Sequence, residues 1–272
     1  MLKYIRDERI YIVKYIIYGF MLLGIYVSNL YGGCYVKDYI PKNAEKYLPV
    51  MYKEVNKTIP IDTPYYFGSL IEQESCVRLC GNNYWARRCW SPISELKTKR
   101  EQGVGFGQIT RAWRRDGTLR FDTLANLKRK YPKELHELTW DNIKEKPDLQ
   151  MKAIMLLWRD NFNMFTNDIP IQSRIAFADS IYNGGSRYFN YERKLCKLTE
   201  GCNPDIWFNN VEKMDSKRNR KKLYGNRTAW DINRDHVDKV LNVRLNKYKE
   251  DYYNRIDKCI LHTDGTMEFI LK

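Results

Sequence analysis

Apolar residues recur at helical spacing in four stretches after residue 60, and the residues around them predict where each helix starts and stops. The first runs from about Pro64 to Ser75. Thr63 is placed to cap it, Pro64 fits the first helical position, and Phe67, Leu70 and Ile71 form an apolar stripe. The others span Pro147 to Phe165, Pro170 to Asn183 and Ile232 to Arg255. The stretch GVGFGQIT at 103–110 is too rich in glycine for a helix and predicts a turn or short hairpin. The expected fold class is mainly α, of α+β type through this small glycine-rich hairpin. No internal repeat or low-complexity tract interrupts it.

Ahead of these helices the pattern changes. YIIYGFMLLGIYVSNLY, residues 15–31, contains no charge and no polar face, and predicts an N-terminal hydrophobic helix that enters a membrane. Lys3, Arg6, Arg9 and Lys14 precede it against only Asp7 and Glu8, which puts the N-terminus in the cytoplasm and everything after residue 31 outside. The run is near the lower limit for a span, so signal peptide and signal anchor both fit. Gly32-Gly33-Cys34 faintly suggests a lipoprotein cleavage site, but Tyr31 stands where such a site usually has Leu. Pro41, Pro49 and Pro60 among mixed charges mark a connecting segment. The expected organisation is a signal anchor or signal peptide at 1–34, a connector at 35–60 and a folded domain at 61–272 with a C-terminal helical extension.

Export changes how the seven cysteines read. In an oxidising compartment Cys80 with Cys89, and Cys196 with Cys202, are near enough to close short loops, which leaves Cys34, Cys76 and Cys259 unassigned. No C-x-x-C pair occurs, and His136, His236 and His262 lie far apart, so neither a metal nor a cofactor is expected. A chain of 272 residues with 43% hydrophobic and 14% aromatic content can bury a substantial core, which excludes intrinsic disorder. Lys and Arg number 47 against 33 Asp and Glu, a formal charge of +14, with a concentrated run SKRNRKK at 216–222. That charge favours a polyanion, and nucleic acid, anionic lipid and the bacterial cell wall all qualify.

One carboxylate breaks the helical pattern. The apolar stripe of the first helix continues to Glu74, which occupies a core-facing position near the helix C-terminus, whereas Glu72 points away from the stripe and reads as a solvated charge. Partial burial and the negative end of the helix dipole both favour the protonated form of such a group. A carboxyl kept protonated near neutral pH can donate to a leaving oxygen, as glycoside-cleaving enzymes require. A buried structural Glu paired with an arginine is the competing reading. In GVGFGQIT, Gly103, Gly105 and Gly107 allow a ligand or neighbouring backbone to approach, and the Gln108 amide suits a sugar. The absence of a G-K-[ST] ending excludes a phosphate-binding P-loop. In SIYNGG, Asn183, Gly184 and Gly185 predict a helix C-cap, and the Tyr182 hydroxyl at that helix end is placed to reach a substrate or the carboxyl.

In this order, Glu74-Ser75, G-x-G-F-G-Q at 103–108 and Y-N-G-G at 182–185 resemble the lytic transglycosylase and goose-type lysozyme superfamily. The chain is also similar to phage lysins carrying that domain, in CWSPISELKTKREQGVGFGQIT, DGTLRFD, KPDLQ and LYGNRTAWDINRDHV, across roughly residues 65–250. The resemblance implies a lysozyme-like fold with a cleft, and cleavage of the β-1,4 bond between N-acetylmuramic acid and N-acetylglucosamine in peptidoglycan. It implies Glu74 as catalytic acid/base, Ser75 as its neighbour at the helix end, Gln108 as a substrate-binding amide, and Tyr182 with Asn183 as the far wall of the cleft. Two positions depart from the pattern: Gly107 precedes Gln108 where transglycosylases typically read G-L-M-Q, and Ile181 replaces the usual Ala before Tyr-Asn.

A lytic transglycosylase needs one carboxyl, whereas an inverting lysozyme needs a second to activate water. Glu101, just before the glycine-rich segment, is the candidate for that second group, against its reading as an exposed charge in KTKREQ. The expected partners are peptidoglycan strands and the anionic envelope or membrane surface, met by a monomer in the host periplasm, and held at the inner membrane if 15–31 is retained. Nucleic acid is not expected as a partner. The rival readings are a basic nucleic-acid-binding protein using Trp207 and Tyr224, and an inactive, membrane-anchored virion protein.

Overall fold

The computed structural model describes residues 39–59, 61, 63–76, 89–215, 222–224, 226–261 and 267–271. Over these the protein is mainly helical with a small antiparallel sheet, an α+β arrangement. The run at 15–31, Cys34 and residues 216–221 of the basic run lie outside the described residues. Among the described residues no helix is long and apolar enough to cross a membrane.

The segment expected to connect is instead helical. A 3-10 turn at Lys42–Lys46 leads into helix α1 (Leu48–Thr58), and Leu48, Met51, Tyr52 and Val55 are buried at helical spacing. Pro41 is the cap of the turn and Pro49 lies in the first turn of α1, where a missing N–H costs nothing. These prolines mark helix starts rather than a linker, so at least residues 42–58 belong with the folded core.

Helix α2 (Tyr66–Ser75) begins later than Thr63 suggests. Tyr65 is its cap residue, and Thr63 contributes only its carbonyl, which accepts the Tyr66 N–H at 3.0 Å. Helices α3 (Thr123–Lys130) and α4 (Pro132–Leu135) follow the sheet, and α5 (Pro147–Phe162) ends slightly before the predicted Phe165. Helix α6 (Ile171–Gly184) closes on Gly185 at φ 78°, a conformation that glycine adopts without strain, as the Asn-Gly-Gly sequence predicts. Helix α7 (Ser186–Lys197) follows directly. The expected helix over 232–255 is divided: α8 (Ala229–Asp238), opened by a Thr228/Asp231 capping box, passes through a π-turn at Lys239–Arg244 into α9 (Leu245–Arg255). The i→i+5 bonding of the π-turn accommodates an extra residue and changes which side chains of α9 share a face with those of α8.

Strands β1 (Glu95–Lys97), β2 (Glu101–Val104), β3 (Ile109–Trp113) and β4 (Leu119–Asp122) pair antiparallel in chain order. The glycine-rich segment is the β2–β3 hairpin, with Gly103 opposite Thr110 and Val104 opposite Ile109. Two further strand pairs, β5 (Lys222–Tyr224) with β6 (Arg227–Thr228) and β7 (Ile256–Leu261) with β8 (Met267–Leu271), complete the described strands.

Helix α2 lies at the centre. Phe67, Leu70 and Ile71 share one core with α1, with Met151, Ile154, Met155 and Trp158 of α5, and with Tyr248 and Tyr252 of α9. A Cβ at Gly68 would overlap the Tyr248 ring, so glycine is what lets α2 and α9 approach so closely. Every residue of α2 is buried except Glu74. A second core joins Phe165, Phe177, Phe189 and Trp207, and the Arg234 guanidinium lies 4.9 Å from the Trp207 ring. Trp207 is therefore a core residue and not a surface platform for bases.

The Cys196–Cys202 disulfide forms as expected. Cys89 pairs not with Cys80 but with Cys76, across a Cα–Cα distance of 4.6 Å. Proximity in sequence favoured Cys80, but the end of α2 delivers Cys76 directly to Cys89, and spatial reach decides the pairing.

Candidate active site

Of the two glutamates of α2, Glu72 occupies an environment opposite to the one the helical pattern assigned to it. Glu72, read as solvated, has a fully buried side chain (0% exposed). It accepts hydrogen bonds from Lys247 Nζ at 2.8 Å, Arg244 Nε at 3.2 Å and the Tyr248 hydroxyl at 2.6 Å, while the same hydroxyl accepts the Trp90 indole N–H at 2.8 Å. The Arg-paired structural glutamate weighed for position 74 is thus found at position 72. Glu74, read as core-facing and partly buried, is so: its side chain keeps 11% exposure, and the other residues of α2 are buried.

Behind Glu74 stands a chain of polar groups from three helices. His236 Nε2, on α8, donates to Glu74 Oε1 at 2.7 Å, and His236 Nδ1 donates to Asp179 Oδ2 on α6 at 2.9 Å. Asp179 Oδ1 in turn accepts the Tyr66 hydroxyl from the first turn of α2. Carboxylates accept and do not donate, so an imidazole held between two of them carries a proton on each nitrogen. Burial opposes that charge, but Asp179 and Glu74 outweigh it and hold His236 in the imidazolium form up to about pH 10. Asp179 is completely buried and His236 is 3% exposed, so the array is screened from water except at Glu74.

The β2–β3 hairpin and the end of α6 flank this carboxylate. The Tyr182 hydroxyl donates to the Gly107 carbonyl at 2.7 Å, which ties the α6 terminus to the hairpin turn. Burial, then the nearby Glu74 and Asp179 charges, push the Tyr182 hydroxyl well above the ordinary tyrosine range, and it stays a neutral phenol. The expected bond from Tyr182 to the carboxyl or a substrate is therefore replaced by a bond to backbone. A Cβ at Gly107 would overlap both Ile154 and the Tyr182 hydroxyl, so this glycine serves the approach of protein rather than ligand. Gly105, at φ 81°, is held by Gln150, whose Oε1 accepts the Phe106 N–H at 3.0 Å.

The remaining sequence candidates divide. Gln108, at φ 48°, folds its amide back to donate to the Gly105 carbonyl at 3.0 Å and to Ser94 Oγ at 3.4 Å, and so braces the hairpin instead of presenting itself to a sugar. Ser75 is structural: its hydroxyl donates to the Ile71 carbonyl at 2.6 Å and accepts the Trp90 N–H at 2.9 Å. Asn183 is exposed beside the site, with its carbonyl oxygen held by the Asn233 amide at 3.1 Å. Glu101 lies on β2 with 45% of its side chain exposed and Arg120 as its ionic contact at 4.0 Å, and it does not join the array around Glu74. Among the described residues no group of acidic, histidine or cysteine side chains is arranged to hold a metal ion.

His236, Asp179 and Tyr66 were not identified from the pattern. Asp179 had a readable signal, a lone carboxylate within the apolar run of α6, but its partner lies 57 residues further on. What the array offers chemically is one partly exposed carboxylate with one oxygen immobilised by a buried cation. Among the described residues, no hydrogen bond engages its other oxygen. No protein-family model matches the chain, and no curated protein matches it in sequence.

Proposed function

We propose that the protein cleaves peptidoglycan glycan strands between N-acetylmuramic acid and N-acetylglucosamine, as a lytic transglycosylase with Glu74 as its acid and base. The observation that favours this reading is the placement of Glu74, the only residue of an otherwise buried helix to reach the surface, with its carboxylate fixed by His236. The ordered motifs around it, and their resemblance to lytic transglycosylases and phage lysins with a lysozyme-like fold, supply the substrate class.

In this scheme Glu74, protonated on Oε2 while Oε1 still accepts from His236, gives its proton to the glycosidic oxygen as the bond from that oxygen to the muramic acid C1 breaks. The resulting carboxylate then removes the proton of the C6 hydroxyl, whose oxygen bonds to C1. The net change moves one proton from O6 to the leaving oxygen and closes a 1,6-anhydro ring without water. One carboxyl suffices for this scheme. The net charge of +14 favours retention on the anionic envelope, outside the cytoplasm of a bacterial host, with residues 15–31 as export signal or anchor.

Mass spectrometry of digested cell walls tests the proposal. Anhydro-muropeptides that disappear with Glu74→Gln, in a protein that remains folded, are the expected result. Exclusively reducing-end products that also disappear with Glu101→Gln would replace the transglycosylase scheme by hydrolysis, and undiminished cleavage by Glu74→Gln would overturn the role of Glu74.

A further inference from the structure

We infer that His236, backed by Asp179, is the positioning residue of the Glu74 carboxylate, fixing Oε1 so that Oε2 alone meets the glycosidic oxygen and the C6 hydroxyl. The inference rests on the proposed role of Glu74 and concerns how that group is held. The 2.7 Å bond from His236 Nε2 and the 2.9 Å bond on its other face clamp the imidazole at both nitrogens. Asp179 is clamped in turn by the Tyr66 hydroxyl, so the ring has no freedom to rotate away. The charged and titratable groups facing it are Glu74 and Tyr66 from α2 and Asp179 from α6, with the Tyr182 phenol beside both carboxylates. Arg244, the buried cation on the π-turn that follows α8, is engaged by Glu72.

A glutamate has three side-chain torsions, and a surface carboxylate without such a partner samples many orientations. Misplacement of a reacting group by an ångström costs about a hundredfold in rate. A bystander histidine that merely fills space does not hold the carboxylate in one orientation.

The test uses the full chain on purified peptidoglycan. His236→Asn is expected to lower kcat about a hundredfold with KM unchanged, because no substrate contact is lost. A wild-type kcat, or a loss confined to KM, overturns the inference. Should His236→Asn fail to fold, nitrogen NMR of the wild-type protein provides the second measurement. With signals assigned through His136→Gln and His262→Gln, both His236 ring nitrogens are expected to stay protonated from pH 6 to about pH 9, and a neutral imidazole at pH 7 overturns the inference. Failure of the proposed function has a separate signature: a Glu74→Gln protein that still cleaves glycan. A Glu74→Gln protein without activity, beside a His236→Asn protein with wild-type kcat, removes only the role of His236.

Discussion

Glu72→Gln is expected to destabilise the protein severely without touching the chemistry at Glu74. The Glu72 side chain is 0% exposed and the side chains of its partners Arg244 and Lys247 are 8% and 9% exposed, so the substitution leaves two cations buried around a neutral amide. Removing one partner of a buried ion pair costs about 3–5 kcal/mol, most of it the penalty of the charges left behind. The Tyr248 hydroxyl also loses its 2.6 Å carboxylate acceptor while it still receives the Trp90 indole. For a domain of this size each kcal/mol lowers Tm by about 2–4 °C, which predicts a fall of about 6–20 °C by circular dichroism or calorimetry. Glu74→Gln, two positions along the same helix, is expected to shift Tm by only a few degrees, because His236 keeps its bond to Asp179. A double-mutant cycle with Lys247→Met should return part of the loss, since the second change removes one of the two cations that faced the lost carboxylate. A Glu72→Gln protein that melts within 2 °C of wild type would falsify the account of a buried charge network.

Three further outcomes follow from the packing and the charges. Gly68→Ala places a methyl group against the Tyr248 ring and is expected to cost about 1–3 kcal/mol in chemical denaturation, with Gly107→Ala comparable because it meets Ile154 and the Tyr182 hydroxyl. Cys89→Ser opens the Cys76–Cys89 bridge directly after α2 and is expected to remove about 2–4 kcal/mol, whereas an unchanged denaturation midpoint would show that the bridge is not formed. The imidazolium of His236, raised from 6.5 to about 10 on folding, contributes stability that is complete below about pH 6.5 and lost as pH rises to about 10. Tm should therefore decline across that range, and Asp179→Asn, which weakens the hold on the charge, should flatten the decline.

The helices with one-sided apolar stripes and clear end signals were legible. The Asn-Gly-Gly ending predicted the close of α6, and the glycine-rich stretch predicted the β2–β3 hairpin. What misled was α2, because periodicity assumes one wet face and this helix has none. Glu72 read as a solvated residue, yet it accepts from Arg244, Lys247 and Tyr248, and Ser69 of the same helix donates to the Val240 carbonyl, both being covered by the C-terminal elements. A buried polar face is indistinguishable from a solvated one until the element that covers it is known. The same limit hid His236, whose role depends on Glu74 and Asp179 rather than on any neighbour in sequence. It also explains Gln108 and Tyr182: their polar tips suited a sugar, but backbone carbonyls of the hairpin lie nearer and take the bonds.

The separations across the central helix set the order in which the site can come into being. Glu74 meets His236 across 162 positions, Glu72 meets Tyr248 across 176, and Tyr52 reaches Asp251 across 199. A chain emerging N-terminus first from a ribosome or a secretion channel carries Glu74 long before the residue that orients it. Contacts of such range close large loops and slow the search for the native state. No N-terminal fragment that stops short of α8 can hold an oriented Glu74, however well its own helices form. Assembly of the carboxylate site thereby becomes one of the last events in the maturation of the molecule, and only a chain carried through to α9 completes the buried support beneath it.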